Sequence, residues 1–366
     1  MSELEYTENG WRYTTDTKRH HRERHWDYKG RGIYHFTLTA HERYPIFGQL
    51  VYEKPEDAYV QLNPFGKQVL DIIERTPNIY APKGYSLKIL ALQIMPDHIH
   101  LLLQVIDPLP RSIGFVIRGI KSTCTSAFRR TYVNNGDNNI AEVHMNNNVH
   151  FARIIASINS IWEITPSRYH ERILHADGQL QKMIDYIHDN PRRLAIKRLN
   201  PDLFRIKQNY HLGKTPCVVL GNIFLADNPQ RAVLKCSRKL TQEQIDTLRK
   251  ECLAEAANGT VYISGAVSEG EKQICRALRE AGYPLIIILT EGFPEPDSPH
   301  YKYFKPQGVY FEACAEGNLL LVQPDKEILE RPDIIARVSA KVGDIPHESQ
   351  RYRFVAMNAI AEDIAS

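Results

Sequence analysis

Residues 95–105 read Met-Pro-Asp-His-Ile-His-Leu-Leu-Leu-Gln-Val, bounded by Pro96 on one side and Asp107-Pro108 on the other. A short apolar run between turn residues is a strand. Along a strand successive side chains alternate between faces, so His98 and His100 project together while Ile99 points into the opposite layer. Two imidazoles on one face of an otherwise apolar strand are costly to bury unless something partners them, and a divalent metal is one such partner. A chance His-x-His with no ligand is the plain alternative at this point.

Outward from this strand the pattern is α+β. Residues 32–39 (GIYHFTLT) alternate apolar and polar positions and read as a strand, and residues 85–93 as another. Helical spacing appears over 63–75, 112–130 and 180–190, the last stopped by Pro191. The second of these helices carries Arg118, Lys121, Arg129 and Arg130, cations placed to touch a nucleic-acid backbone; a solvated basic helix face accounts for them almost as well. The stretch 134–148 is rich in Asn and reads as a surface insertion. In the last helix Tyr186 and Asn190 stand at i and i+4, so a phenol and a carboxamide share one face. Judged from the helix alone, a half-buried packing tyrosine and a Pro-terminated helix is the simpler account.

The chain has 366 residues, more than one domain usually holds, so two domains are expected, divided near 212/213. Hydrophobic content of 43% and charged content of 24% suit a globular protein, and no apolar run approaches the length of a membrane span, so no membrane role is expected. The acidic, polar start lacks the form of a secretory signal, and an intracellular protein, nucleoid-associated in a bacterial-type cytoplasm, is expected. The six cysteines form no CxxC pair, which disfavours a zinc ribbon or a disulfide framework. The net charge of +3 is uneven: residues 1–213 hold 28 Lys/Arg against 22 Asp/Glu, and 214–366 hold 18 against 21. The basic half is the one that would meet a polyanion. It opens with an arm, residues 1–31, in which Trp11, Tyr13, Trp26 and Tyr28 interleave with Arg, Lys and His. Such a mixture suits single-stranded nucleic acid, although a plain tail has the same composition.

Beyond 213 the pattern changes. Apolar runs at 232–235, 261–264, 285–290 and 319–322 alternate with helical segments at 241–255 and 268–281. Such runs alternating with helices imply a small α/β unit whose mostly parallel sheet is covered on both faces. The turn Ser264-Gly265-Ala266-Val267-Ser268 leads from a strand into a helix, where free amides could hold a phosphate. A nucleotide is therefore a candidate ligand, with Glu271 as an obstacle. A sheet used only for dimerisation or target contact is an equally simple reading. The segment looks like the Rossmann-like domain of DNA-processing protein A.

Five blocks of the first half, in order, complete the reading: GIYHFTLTAHERYPIF, ALQIMPDHIHLLLQV, IRGIKSTCTSAFRR, IWEITPSRYHERIL and LQKMIDYIHDNP. Together they resemble the HUH-type tyrosine transposases, most closely the REP-associated tyrosine transposases, over most of residues 30–200. The resemblance implies a ferredoxin/RRM-like antiparallel sheet with helices over 32–212. It implies a metal pair in His98 and His100, a nucleophile in Tyr186 and a third ligand in Asn190, with Mg2+ or Mn2+ as cofactor. It further implies a single-stranded or hairpin DNA partner, nicking and rejoining through a 5′-phosphotyrosine, and in some members a homodimer that exchanges the tyrosine helix. Two rival functions stay open: a non-cleaving DNA-binding protein on an inert HUH fold, and a nucleotide-sensing protein that the first domain delivers to DNA.

Overall fold

A computed structural model of the chain describes residues 4–7, 10–13, 26–132, 161–162, 170–174, 178–289, 292–297, 301, 304–306, 308–346 and 349–365. Most of the basic arm, the 134–148 insertion and Thr290-Glu291 lie outside these residues. The chain divides into two compact units, Met1–Ala195 and Ile196–Ser366.

The first unit begins with a two-stranded ribbon, β1 (Leu4–Thr7) and β2 (Gly10–Tyr13). Its main sheet contains β3 (Gly32–Thr39), β6 (Leu87–Ile94), β7 (His98–Val105) and β8 (His170–Ile173). The order is β6-β7-β3-β8, with every neighbouring pair antiparallel. A small ribbon of β4 (Gly48–Val51) and β5 (Tyr59–Leu62) stands apart. Helix α1 (Pro64–Tyr80) is started by Asn63, whose side chain accepts from the Gly66 amide, with Pro64 in the first turn where its missing N–H costs nothing. Helix α2 (Gly114–Tyr132) lies beside it, and a Cβ at Gly119 would stand 1.9 Å from the Tyr80 hydroxyl, so a larger residue there would have to displace the end of the Tyr80 side chain.

The alternation expected of the His-bearing strand sorts the two faces of the sheet. Ile99, Leu101, Leu103 and Val105 join Tyr34, Phe36 and Leu38 of β3 in a core closed by Val69 and Ile73 of α1 and by Val116, Ile117 and Ile120 of α2. On the other face Ala91 and Leu102 pack with Ile187, Met183 and Ile184 of α3 (Gln179–His188). Among the described residues the unit is therefore layered as the helix pair α1 and α2, the sheet, and α3 on the other face, and α3 carries Tyr186.

The second unit has a six-stranded sheet built from β9 (Lys207–Leu212), β10 (Thr215–Gly221), β11 (Arg231–Val233), β12 (Val261–Ser264), β13 (Leu285–Ile288) and β14 (Leu319–Pro324). Its order is β11-β12-β13-β14-β10-β9. The run from β11 to β14 is parallel, as the continuous apolar stretches require, but β10 joins β14 antiparallel and β9 joins β10 antiparallel, so the sheet is mixed. Because β9 belongs to this sheet, the second unit starts before the expected 212/213 division. Residues 207–212 (KQNYHL) are too polar to announce a strand: as the outermost member of the sheet, β9 has only one strand neighbour, and its sequence carries no continuous apolar run. No described helix is long and apolar enough to cross a membrane.

Candidate active site

The site is assembled on the face of the first sheet opposite α1 and α2. Register places Thr37 beside His100 and Thr39 beside His98 on β3, and Gln93 beside His100 on β6. His35 lies one pleat further along the same face, and the structure brings it against the His pair. Its Nε2 is 3.0 Å from His100 Nδ1, and Thr37 Oγ1 is 3.4 Å from the same atom. On the other imidazole, His98 Nδ1 lies 2.6 Å from Asp97 Oδ1. The two remaining nitrogens, His98 Nε2 and His100 Nε2, face each other at 3.1 Å.

This chain sets protonation as well as position. Burial, then the charges of Arg172 and His98, push the His35 pKa down to about 4, so His35 is neutral at physiological pH and can accept the Nδ1–H of His100. Burial of Asp97 would raise its carboxyl, but the hydrogen bond and charge of His98 and the charge and hydrogen bond of Arg43 outweigh it and hold the pKa at about 2. A carboxylate that stays ionised accepts the Nδ1–H of His98. With both Nδ1 protons so engaged, two Nε2 lone pairs converge across 3.1 Å, an arrangement that needs a proton or a cation between them. Thr39 Oγ1, beside His98 in register, is a buried hydroxyl without a hydrogen-bond partner.

Tyr186 reaches this place from α3 of the same chain. Its ring meets His100 edge-on at 5.7 Å between centroids and His35 at 6.5 Å. Arg193 lies over the ring with its guanidinium carbon 5.5 Å from the centroid, and is itself only 5% exposed. Burial raises the phenol pKa, while the charges of Arg193 and Arg43 and hydrogen bonding to Asn190 pull it back.

Asn190 differs from the sequence expectation in one respect. The helix does not run through to Asn190; α3 ends at His188, and Asn190 opens a new helix, α4 (Asn190–Leu199). Pro191 has no N–H with which to meet the Ile187 carbonyl four residues back. The Asn190 amide compensates, its Nδ2 donating to Tyr186 O at 2.7 Å and to Ile187 O at 3.4 Å. Asn190 is 1% exposed, and with its NH2 committed to the helix end, Oδ1 is the atom through which it could serve a cation.

The structure thus brings His98, His100, Tyr186 and its neighbour Asn190 into one region, and adds His35, Thr37, Asp97, Arg43 and Arg193. The alternation of GIYHFTLT already placed His35 on a single face with Thr37 and Thr39; what was missing was the register of β3 on β7. Arg118, Lys121, Arg129 and Arg130 are not beside this site, because α2 covers the opposite face of the sheet. Lys121 instead stacks its ammonium 5.3 Å from the Trp162 ring.

No protein-family model matches the chain. An uncharacterised protein of Haemophilus influenzae is 23% identical over 196 residues, 47% of this chain and 89% of that protein. Among solved structures, a REP-associated tyrosine transposase bound to a REP hairpin is similar at 16% identity and a TM-score of 0.25, covering 46% of this chain and 72% of its own. A Deinococcus radiodurans protein described as a transposase is similar at 15% identity and a TM-score of 0.25, over 46% of this chain and 96% of that one.

In the second unit the amides expected to hold a phosphate are taken. Helix α5 (Gln242–Ala257) precedes β12, and α6 (Glu269–Glu280) follows it. At the start of α6, Glu271 accepts from the Val267 amide at 2.7 Å and the Ser268 amide at 3.3 Å, and Ser268 Oγ accepts from the Glu271 amide at 3.1 Å. This capping box places a carboxylate where a phosphate would bind. The adjoining cleft, about 270 Å³ and lined by Arg238, Arg351 and Phe354 among others, falls just under the usual size of small-molecule pockets.

Proposed function

We propose that the first unit nicks and rejoins single-stranded or hairpin DNA in the manner of a tyrosine transposase, with Tyr186 as nucleophile. The observation that carries this reading is the convergence of the two Nε2 atoms of His98 and His100, each held from behind through its Nδ1, directly beside the Tyr186 ring.

His98 and His100, with Asn190 Oδ1 as third donor, would hold Mg2+ or Mn2+. The two convergent imidazole lone pairs suit such a cation and leave open positions for an amide oxygen, water and phosphate oxygens, which hard divalent cations prefer. Among the described residues no group of three His, Cys, Asp or Glu is placed to hold a metal, so the oxygen donor must come from an amide, water or substrate. When bound, the cation would polarise a non-bridging oxygen of the scissile phosphate.

The chain's own groups do the rest. The Tyr186 Oη attacks phosphorus, the bond to the departing 3′ oxygen breaks, and that oxygen takes up a proton to leave a 3′-hydroxyl while the 5′ side stays on tyrosine. The phenol must lose its proton, which burial opposes and the nearby guanidinium charges favour. Burial also limits water, which would otherwise hydrolyse the phosphotyrosine and forfeit rejoining.

The experiment is a denaturing gel of the full chain with end-labelled hairpin oligonucleotides and Mn2+. A covalent protein–DNA adduct that disappears in Tyr186→Phe and in His98→Ala is the expected outcome. Tight binding with no adduct across hairpins taken from the flanks of the gene would replace this reading with a non-cleaving DNA-binding protein.

A further inference from the structure

The turn that follows β3 carries backbone strain. Glu42 and Arg43, consecutive and neither of them glycine, both take left-handed conformations, with φ of 47° and 53°. L-residues with a Cβ seldom enter this region, and two in succession are kept only where surrounding structure imposes them. The constraints are visible. Ala40 N donates to Asp97 O at 2.8 Å, His41 N to Ile161 O at 2.8 Å, Arg43 N to Ala40 O at 3.0 Å and Tyr44 N to His41 O at 3.1 Å.

The strained turn delivers the Arg43 side chain to the site. Its Nη1 lies 3.2 Å from Asp97 Oδ2, the other oxygen of the same carboxylate holding His98 Nδ1 at 2.6 Å. One carboxylate therefore ties the guanidinium to the imidazole pair. The side chain keeps 21% of its surface open to solvent, whereas Arg193, stacked on the Tyr186 ring, is buried. The charge of Arg43 also reaches the Tyr186 phenol. A planar guanidinium has five N–H donors in a fork that matches two phosphate oxygens, the geometry a phosphodiester offers.

We propose that Arg43 is a phosphate-binding residue that grips the DNA phosphodiester presented to Tyr186, and that the strained 41–43 turn exists to hold it there. The proposal rests on the DNA-processing reading of the site, but its test does not need cleavage.

Binding of a fluorescein-labelled single-stranded oligonucleotide to full-length Tyr186→Phe protein is measured by anisotropy across a salt series in EDTA. Each phosphate contact contributes about 0.7 to the slope of log affinity against log salt for a single strand. Arg43→Gln, which can still donate to Asp97, should lower that slope by about 0.7 and weaken binding roughly tenfold, with an unchanged melting temperature. Arg43→Lys should retain the slope. A slope in Arg43→Gln equal to that of the parent, or no measurable binding by the parent, overturns the proposal. Arg43-dependent binding by a wild-type protein that never forms an adduct keeps the phosphate grip and sinks the nicking reaction instead; an adduct in wild type with an unchanged Arg43→Gln slope does the reverse.

Discussion

At Tyr186 two opposing effects meet: removal from water disfavours the phenolate, and two arginines favour it. Arg193 is stacked on the ring and drawn to Asp189, whose carboxylate oxygen is 3.9 Å away. It is a positioning residue, acting on the reaction through the tyrosine. Replacing it with Met keeps bulk and removes charge, so the phenol should hold its proton to higher pH. The pH profile of adduct formation should move to the alkaline side, with a loss of about tenfold at neutral pH; an unmoved profile would mean that Arg193 only packs. His35 offers a second measurement. Its folded pKa of about 4 lies below the ordinary imidazole value of 6.5, so between these values the unfolded chain binds a proton that the native chain does not. Stability from this group is complete above pH 6.5 and is lost as pH falls towards 4, on the order of 3 kcal/mol if His35 acted alone. Chemical denaturation in EDTA between pH 7 and 4 should show this decline, and His35→Gln should flatten it. At this scale the sequence singles out His98, His100, Tyr186 and Asn190 as candidates, by residue type and spacing together with the family resemblance. Arg43, Asp97 and Arg193 were not, because each works through a contact that only the register of β3 on β7 or the α3–α4 junction creates.

At the scale of elements, the junction between α3 and α4 depends on one side chain. Pro191 removes the N–H that would have met Ile187 O, and the Asn190 amide supplies donors in its place. Asn190→Ala should cost about 1–2 kcal/mol by leaving buried carbonyls poorly satisfied. Pro191→Ala restores a backbone donor, so the double variant should be less destabilised than Asn190→Ala alone. Urea denaturation of the three variants gives the cycle directly, and strict additivity would show that the two residues do not compensate one another. The helix stop was readable from Asn-Pro, but the restart was not: Asn190 and Pro191 are as good at opening a helix as at ending one, and which they do depends on the backbone beyond them. The core strands were readable for the opposite reason. The alternation in 98–105 and the unbroken apolar runs at 261–264, 285–288 and 319–322 leave few ways to bury the side chains.

Across the whole molecule the six cysteines form a natural reporter of the two units. All are reduced and buried, and burial raises the thiol pKa at each, to about 12 at Cys124, Cys217 and Cys314 and to about 11 at Cys275. Thiolate, not thiol, is the reactive form, so a disulfide reagent at pH 8 should find the native protein inert and the unfolded chain fully reactive. Their distribution is unequal: Cys124 sits in the core of α1, α2 and the first sheet, while Cys217, Cys236, Cys252, Cys275 and Cys314 all sit in the cores of the second unit. Pulsed thiol labelling along a urea gradient, read by intact mass, therefore separates the two units without fragmenting the chain. If the second unit opens first, a species with five labels should precede the fully labelled one; if the first opens first, a species with a single label should appear. Label appearing on Cys217 or Cys236 in the absence of denaturant would mean that the second unit opens locally in the native state, and would overturn the picture of five inert core thiols.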